Sequence, residues 1–128
     1  MIVVDASAVV AILNEEAGYQ GIAARLLLSD QRRISPVSYV EVIMALARQY
    51  PAPQSVVENY LERIQVRIHP IDTDQARWAQ HAFLTYGKGR HPAKLNLGDC
   101  FSYAAAKSLN APLLYVGSDF AQTDIKAA

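Results

Sequence analysis

At 128 residues the chain is long enough to bury one real core and too short for two. Twelve basic and twelve acidic side chains cancel, so no overall positive field draws it to nucleic acid, and any such contact has to use a local basic surface. A single cysteine, Cys100, excludes an internal disulfide and reads as a buried core thiol. No apolar run approaches the roughly 20 residues needed to span a bilayer, which makes the cytoplasm the expected location.

Short β-rich runs alternate with helical patterns along the chain, which argues for an α/β fold on a parallel sheet. Ile2 to Asp5 reads as the first strand. Helical patterns follow from about Ala6 to Leu13 and from about Glu16 to Ser29, the second amphipathic through Ile22, Ala23, Leu26 and Leu27. Arg33 to Ser35 is a second short strand, with Arg32 and Arg33 as its polar entry. Ser35 as N-cap and Pro36 at the first helical position start a helix that runs to about Tyr50, before Pro51 and Pro53. Gln54 to Ile64 is the next helix and Val66 to His69 the third strand. Asp72 to Gln75 is a capping-box start for a helix over Ala76 to Tyr86. Gly87 to Leu95 is a loop, Asn96 caps a helix from Leu97 to about Leu109, and Asn110-Ala111-Pro112 turns the chain into a strand over Leu113 to Val116. Phe120 to Ala128 has no assigned form. No linker or repeat interrupts the pattern, so residues 1–128 are expected to form one domain.

Four acids stand in or just after apolar stretches, where a charge is costly unless something compensates it. Asp5 follows Ile2-Val3-Val4, Glu41 lies inside Val40-Glu41-Val42-Ile43-Met44, Asp99 opens an alanine-rich helix, and Asp119 comes just after Leu113-Leu114-Tyr115-Val116. In an open α/β sheet ligands bind beyond the carboxyl ends of the strands, and all four acids fall on that side. Each one alone also suits a purely structural role. Asp5 fits an N-cap, Asp99 and Glu41 stand three residues after Asn96 and Ser38 at capping-box spacing, and Asp119 fits the cap of a short turn. Glu41 resists that reading best, because Ser35-Pro36 is the stronger helix start and no Lys or Arg lies three or four residues from it. Gathered together, the four would repel one another unless a divalent cation offset their charge. Oxygen-only ligands point to Mg²⁺ or Mn²⁺, ions that suit phosphodiester cleavage by an activated water.

Positive charge concentrates in Lys88, Arg90, His91 and Lys94, just before Asp99, which makes this loop the candidate RNA-facing surface against the alternative of an ordinary solvated loop. Trp78, Tyr86 and Tyr103 suit base stacking, although aromatics on amphipathic helices more often belong to a core. His69, His81 and His91 lack zinc-type spacing with Cys100 or with each other, and no nucleophile elbow or phosphate-binding P-loop is present.

Taken in order, Val4-Asp5-Ala6-Ser7-Ala8, Glu41 in its apolar helix, Asn96-Leu97-Gly98-Asp99-Cys100 and Gly117-Ser118-Asp119-Phe120 resemble the PIN-domain ribonucleases, specifically the VapC toxins of type II toxin–antitoxin systems. The resemblance covers essentially the whole chain. It implies an α/β/α sandwich with a mainly parallel sheet of four or five short strands. It also implies a Mg²⁺- or Mn²⁺-dependent endoribonuclease that cuts RNA involved in translation, is silenced by a cognate VapB antitoxin, and forms a homodimer. By resemblance Asp5, Glu41, Asp99 and Asp119 carry over as the metal-binding, catalytic acids. Ser7 and Asn96 are nearby polar members, and Asp124 is a residue that could share the role of Asp119. Dimer contacts are expected from the helices between Pro36 and Ile64, whose apolar content exceeds what one small core needs. Two other readings stay open on the residues alone: a non-catalytic α/β module that binds RNA or protein, and metal-free RNA cleavage by His91 with Lys88 or Lys94.

Overall fold

The computed structural model describes residues 1–128. Its central strand, β1, spans Ile2–Val4, and the two-residue period of a strand sends Ile2 and Val4 into one hydrophobic cluster and Val3 into the other. Three further strands, β2 (Arg32–Ile34), β3 (Val66–Ile68) and β4 (Leu113–Leu114), complete a sheet of order β3-β2-β1-β4 in which every pairing is parallel. Helices α1 (Ala6–Leu13), α2 (Tyr19–Leu27), α3 (Pro36–Leu46) and α4 (Pro53–Arg63) supply the core on one face with Ile2, Val4, Ile34 and Leu114. On the other face, α5 (Thr73–Tyr86) and α6 (Leu97–Ser108) pack around Val3, Leu113 and Tyr103. The expected α/β/α architecture is therefore what the chain adopts, with four strands.

From β1 the chain steps outward to β2 and then β3, and afterwards returns past β1 to lay down β4 on its other side. That reversal makes the boundary of β1 and β4 a topological switch point, where a crevice opens beyond the strand ends. Asp5 directly follows β1 and Asp119 lies five residues after the end of β4. The connectivity of the sheet thus brings Asp5 and Asp119, the first and last of the four acids, to the same edge of the molecule.

Several elements are shorter than local pattern predicts, each for a definable reason. Helix α2 begins at Tyr19 rather than Glu16 because Gly18 takes φ +85° and the Tyr19 N–H closes a turn onto the Glu16 carbonyl at 2.9 Å. Helix α3 ends at Leu46, after which Ala47 and Gln49 donate only to carbonyls three residues back. Pro51, which disfavours helical geometry in the residue before it, closes off any continuation. Strand β4 stops at Leu114 because the Val116 N–H turns to the Ser7 hydroxyl at 3.0 Å instead of the sheet. In α5, Asp72 accepts from the Gln75 N–H at 2.9 Å, but the Gln75 side chain donates to the Pro70 carbonyl, so only half of the capping box forms. The tail makes a 3₁₀ turn at Phe120–Gln122 and then a single parallel bridge from Ala127 to Leu113.

Arg32 is more than a polar strand entry. Its guanidinium donates to the carbonyls of Leu26 at 2.9 Å, Leu27 at 3.1 Å and Ile64 at 2.7 Å, capping the C-terminal ends of two helices at once.

Candidate active site

Asp5 is 3% exposed and has no cationic partner, so its charge is held by hydrogen bonds alone. As N-cap of α1 it accepts from the Ser7 N–H at 3.0 Å and the Ser7 hydroxyl at 2.6 Å, both on Oδ2. The Ser102 hydroxyl of α6 donates to the other oxygen, Oδ1, at 2.6 Å. Behind it, the fully buried Ser38 of α3 lies 2.7 Å from Ser102. Since Ser102 spends its only proton on Asp5, Ser38 must be the donor in that pair, which gives a directed chain Ser38 to Ser102 to Asp5 across three elements.

Asp99 stands at the third position of α6 and completes a full capping box. The Asp99 N–H donates to Asn96 Oδ1 at 2.9 Å, and the Asn96 N–H donates to Asp99 Oδ2 at 3.1 Å. The structural role considered for Asp5 and Asp99 is thus physically present, and each carboxylate performs it while keeping acceptor capacity in reserve. Neither Glu41 nor Asp119 is used this way: α3 is capped by Ser35, and the Asp119 side chain makes no capping bond to the turn it precedes.

The electrostatics tie the acids together. Partial burial, and then the charges of Asp5 and Asp99, push Glu41 from its ordinary 4.5 up to about 7. Asp99 rises from 3.8 to about 6, mainly through burial and further through Asp5 and Asp119, against the lowering effect of the Asn96 N–H. No Lys or Arg forms an ion pair with any of the four, the chain's one ion pair being Lys107 to Asp124 at 2.9 Å. Asp124 also accepts from the Tyr103 hydroxyl at 2.7 Å, and these donors hold its carboxyl below the usual range even though burial works the other way. It is committed to α6 and takes no part in the fields that perturb Glu41 and Asp99.

Within the loop before Asp99, the four basic residues behave differently. Lys88 and Lys94 are exposed, Lys94 on a left-handed backbone at φ +54°. Arg90 folds back on α5, donating to the Leu84 carbonyl at 3.2 Å and lying over the Phe83 ring. His91 Nδ1 accepts from the Ala93 N–H at 3.0 Å, with its ring edge-on to Tyr86. A groove of about 480 Å³ between α5 and α6, lined by Phe83, Lys88, Leu97 and Phe101, reaches Asn96. A larger hollow of about 910 Å³ lies elsewhere, along β3 and α4, and contains none of the four acids. Tyr103 is fully buried, and Trp78 and Tyr86 pack against it as part of the core. Cys100 is a buried thiol pushed up to about 11, chiefly by burial.

Ser102 is not among the residues that the sequence singles out, and Ser38 stands out there only at capping-box spacing from Glu41. The available signal was helical spacing, since Ser102 is three residues after Asp99 and so shares its face of an otherwise alanine-rich helix.

The model of the PIN domain family matches residues 2–126. Ribonuclease VapC42 of Mycobacterium tuberculosis is 41% identical over 128 residues, covering 98% of each chain. Ribonuclease VapC of Mycolicibacterium smegmatis is 40% identical over 126 residues, again with 98% of each covered. Among solved structures, that of M. tuberculosis VapC20, described as a sarcin-ricin loop cleaving toxin, superposes with a TM-score of 0.78 at 17% identity over 100% of this chain and 98% of that one. VapBC-1 from nontypeable Haemophilus influenzae gives a TM-score of 0.76 at 22% identity, covering 100% and 97%. With residues 2–126 matched by the family model and 98% of its length aligned at about two-fifths identity, the chain belongs to the PIN-domain family and is a relative of the VapC ribonucleases.

Proposed function

We propose that this protein is the toxin of a type II toxin–antitoxin pair, an endoribonuclease that cleaves RNA with Mg²⁺ or Mn²⁺ and is silenced by a VapB-like antitoxin. The observation that carries this reading is the uncompensated acid group at the switch point, in which burial and then the neighbouring carboxylates raise Glu41 and Asp99, and no Lys or Arg pairs with any of the four. Full-length identity of about two-fifths to named VapC ribonucleases supports RNA as substrate, and likeness to a VapBC assembly supports a protein antitoxin.

Asp5, Glu41, Asp99 and Asp119 are the residues that would hold the ion. All donors are oxygen, and no three of them already close around one point. An all-oxygen donor set has the chemistry of a hard divalent ion. When bound, such an ion would supply Lewis-acid polarisation of the scissile phosphate and activation of a water. The chain's own work is positioning. Ser7 and Ser102 orient both oxygens of Asp5, and Asn96 orients Asp99. Because Glu41 and Asp99 are raised to about 7 and about 6, occupying the site expels protons, and affinity for the ion rises with pH through that range.

Lys88 and Lys94 would draw the RNA backbone toward the acids, while Arg90 and His91, already engaged, shape the loop that carries them. Asp124, neutralised by Lys107, is assigned no catalytic part. A homodimer would use the outer face of α3, where Val40 and Met44 are exposed. An RNA substrate fits a cytoplasmic site of action, and no helix is long and apolar enough to cross a membrane.

The test is cleavage of total cellular RNA with Mg²⁺, with Mn²⁺ and with EDTA, beside Asp99→Asn. Discrete fragments that vanish with EDTA and with the variant are expected. Cleavage surviving both would point to His91 chemistry, and none under any condition would favour the non-catalytic module.

A further inference from the structure

We propose that Gly98 is a positioning residue of the candidate metal site, present as glycine so that the Glu41 carboxyl can lie against the first turn of α6 beside Asp99. The inference rests on the metal-binding reading above. Gly98 is buried and helical, and it is not among the glycines with positive φ, which are Gly18, Gly89 and Gly117. Backbone freedom therefore does not explain it. Space does: a Cβ built on Gly98 would fall within the Glu41 carboxyl, overlapping Oε1, Oε2 and Cδ together. Gly21, also within a helix, has nothing within 4 Å of its virtual Cβ, so close approach is a property of position 98 and not of helical glycines here.

The overlapped atoms are the far end of a flexible side chain, not backbone. A methyl group at 98 would be accommodated by swinging Glu41 out of its place, so the penalty falls on the position of the carboxylate and leaves the fold largely untouched. Alanine is also the better helix former. Gly98→Ala is thus expected to separate two properties, with stability held or raised and ion binding weakened. A structural glycine would lower both.

Binding of Mn²⁺, read as loss of the free-ion electron paramagnetic resonance signal, separates the possibilities without recourse to cleavage. Wild type, Asp5→Asn, Gly98→Ala, Glu41→Ala and the Glu41→Ala/Gly98→Ala double variant are compared, with thermal melts in EDTA. Expected are affinity weakened about 10-fold or more in Gly98→Ala, an undiminished melting temperature, and equal affinity in Glu41→Ala and the double variant, since position 98 acts only through Glu41. The proposal is overturned if Gly98→Ala binds Mn²⁺ like wild type while Asp5→Asn does not, if it weakens binding equally in the Glu41→Ala background, or if its melting temperature falls along with its affinity. Equal binding by wild type and Asp5→Asn would instead sink the metal-site reading, and the role of Gly98 with it.

Discussion

Replacing Glu41 by Gln should stabilise the metal-free protein at pH 8. The native carboxyl titrates at about 7 against an ordinary 4.5, so the unfolded chain binds fewer protons between those values and stability falls as pH rises through them. At ~1.4 kcal/mol per tenfold change in proton affinity, the raise would be worth about 3 kcal/mol for a fully desolvated group. Glu41 is only half-buried, and solvent screening brings this to about 1–2 kcal/mol. For a chain of 128 residues that is a rise in melting temperature of about 4–7 °C. The assay is thermal unfolding of both proteins in EDTA at pH 8 and pH 5, then with Mg²⁺. The gap should shrink at pH 5, where the native glutamate holds its proton. On the metal-binding reading proposed above, Mg²⁺ at 100 times its Kd adds about 2.7 kcal/mol to wild type and less to the variant, which lacks one proposed ligand, so the gap should narrow. A Gln variant that melts below wild type in EDTA at pH 8, or a gap unchanged between the two pH values, would refute the argument, because either result means the carboxylate has a stabilising partner.

Ser102→Ala leaves Ser38 without its acceptor and Asp5 Oδ1 without its donor in a buried setting, and should lower stability by about 1–3 kcal/mol in urea titrations; an unchanged midpoint would show that water replaces the hydroxyl freely. Arg32→Met removes three donors to helix-terminal carbonyls while keeping much of the stem, and should cost about 1–3 kcal/mol by the same measurement, whereas a neutral result would make the guanidinium a surface ornament. In Lys88→Gln/Lys94→Gln, RNA affinity read by fluorescence anisotropy should fall, and the slope of log affinity against log salt should flatten by about 1–2; an unchanged slope would remove the loop from the RNA surface.

Wherever a local rule decides, the residues alone were enough. Ser35 ahead of Pro36 started α3, Asn96 and Asp99 closed their capping box, and the apolar runs ending at Asp5 and before Asp119 gave the strands of the switch point, because each signal acts within a few residues. Strand and helix ends were less legible where a distant or strained group intervened, as with the Ser7 hydroxyl that takes the Val116 N–H and the left-handed Gly18 ahead of α2. The partners of the acids were set by packing between distant segments. Ser102 meets Asp5 across 97 residues and Ser38 meets Ser102 across 64, and no periodicity within one helix encodes such a meeting. The same holds for the glycine at 98, whose meaning depends on a carboxyl arriving from α3, and for Arg32, whose third acceptor lies at the end of α4. Capping and hydrophobic periodicity are properties of a segment, whereas the environment of a buried charge is a property of everything packed around it.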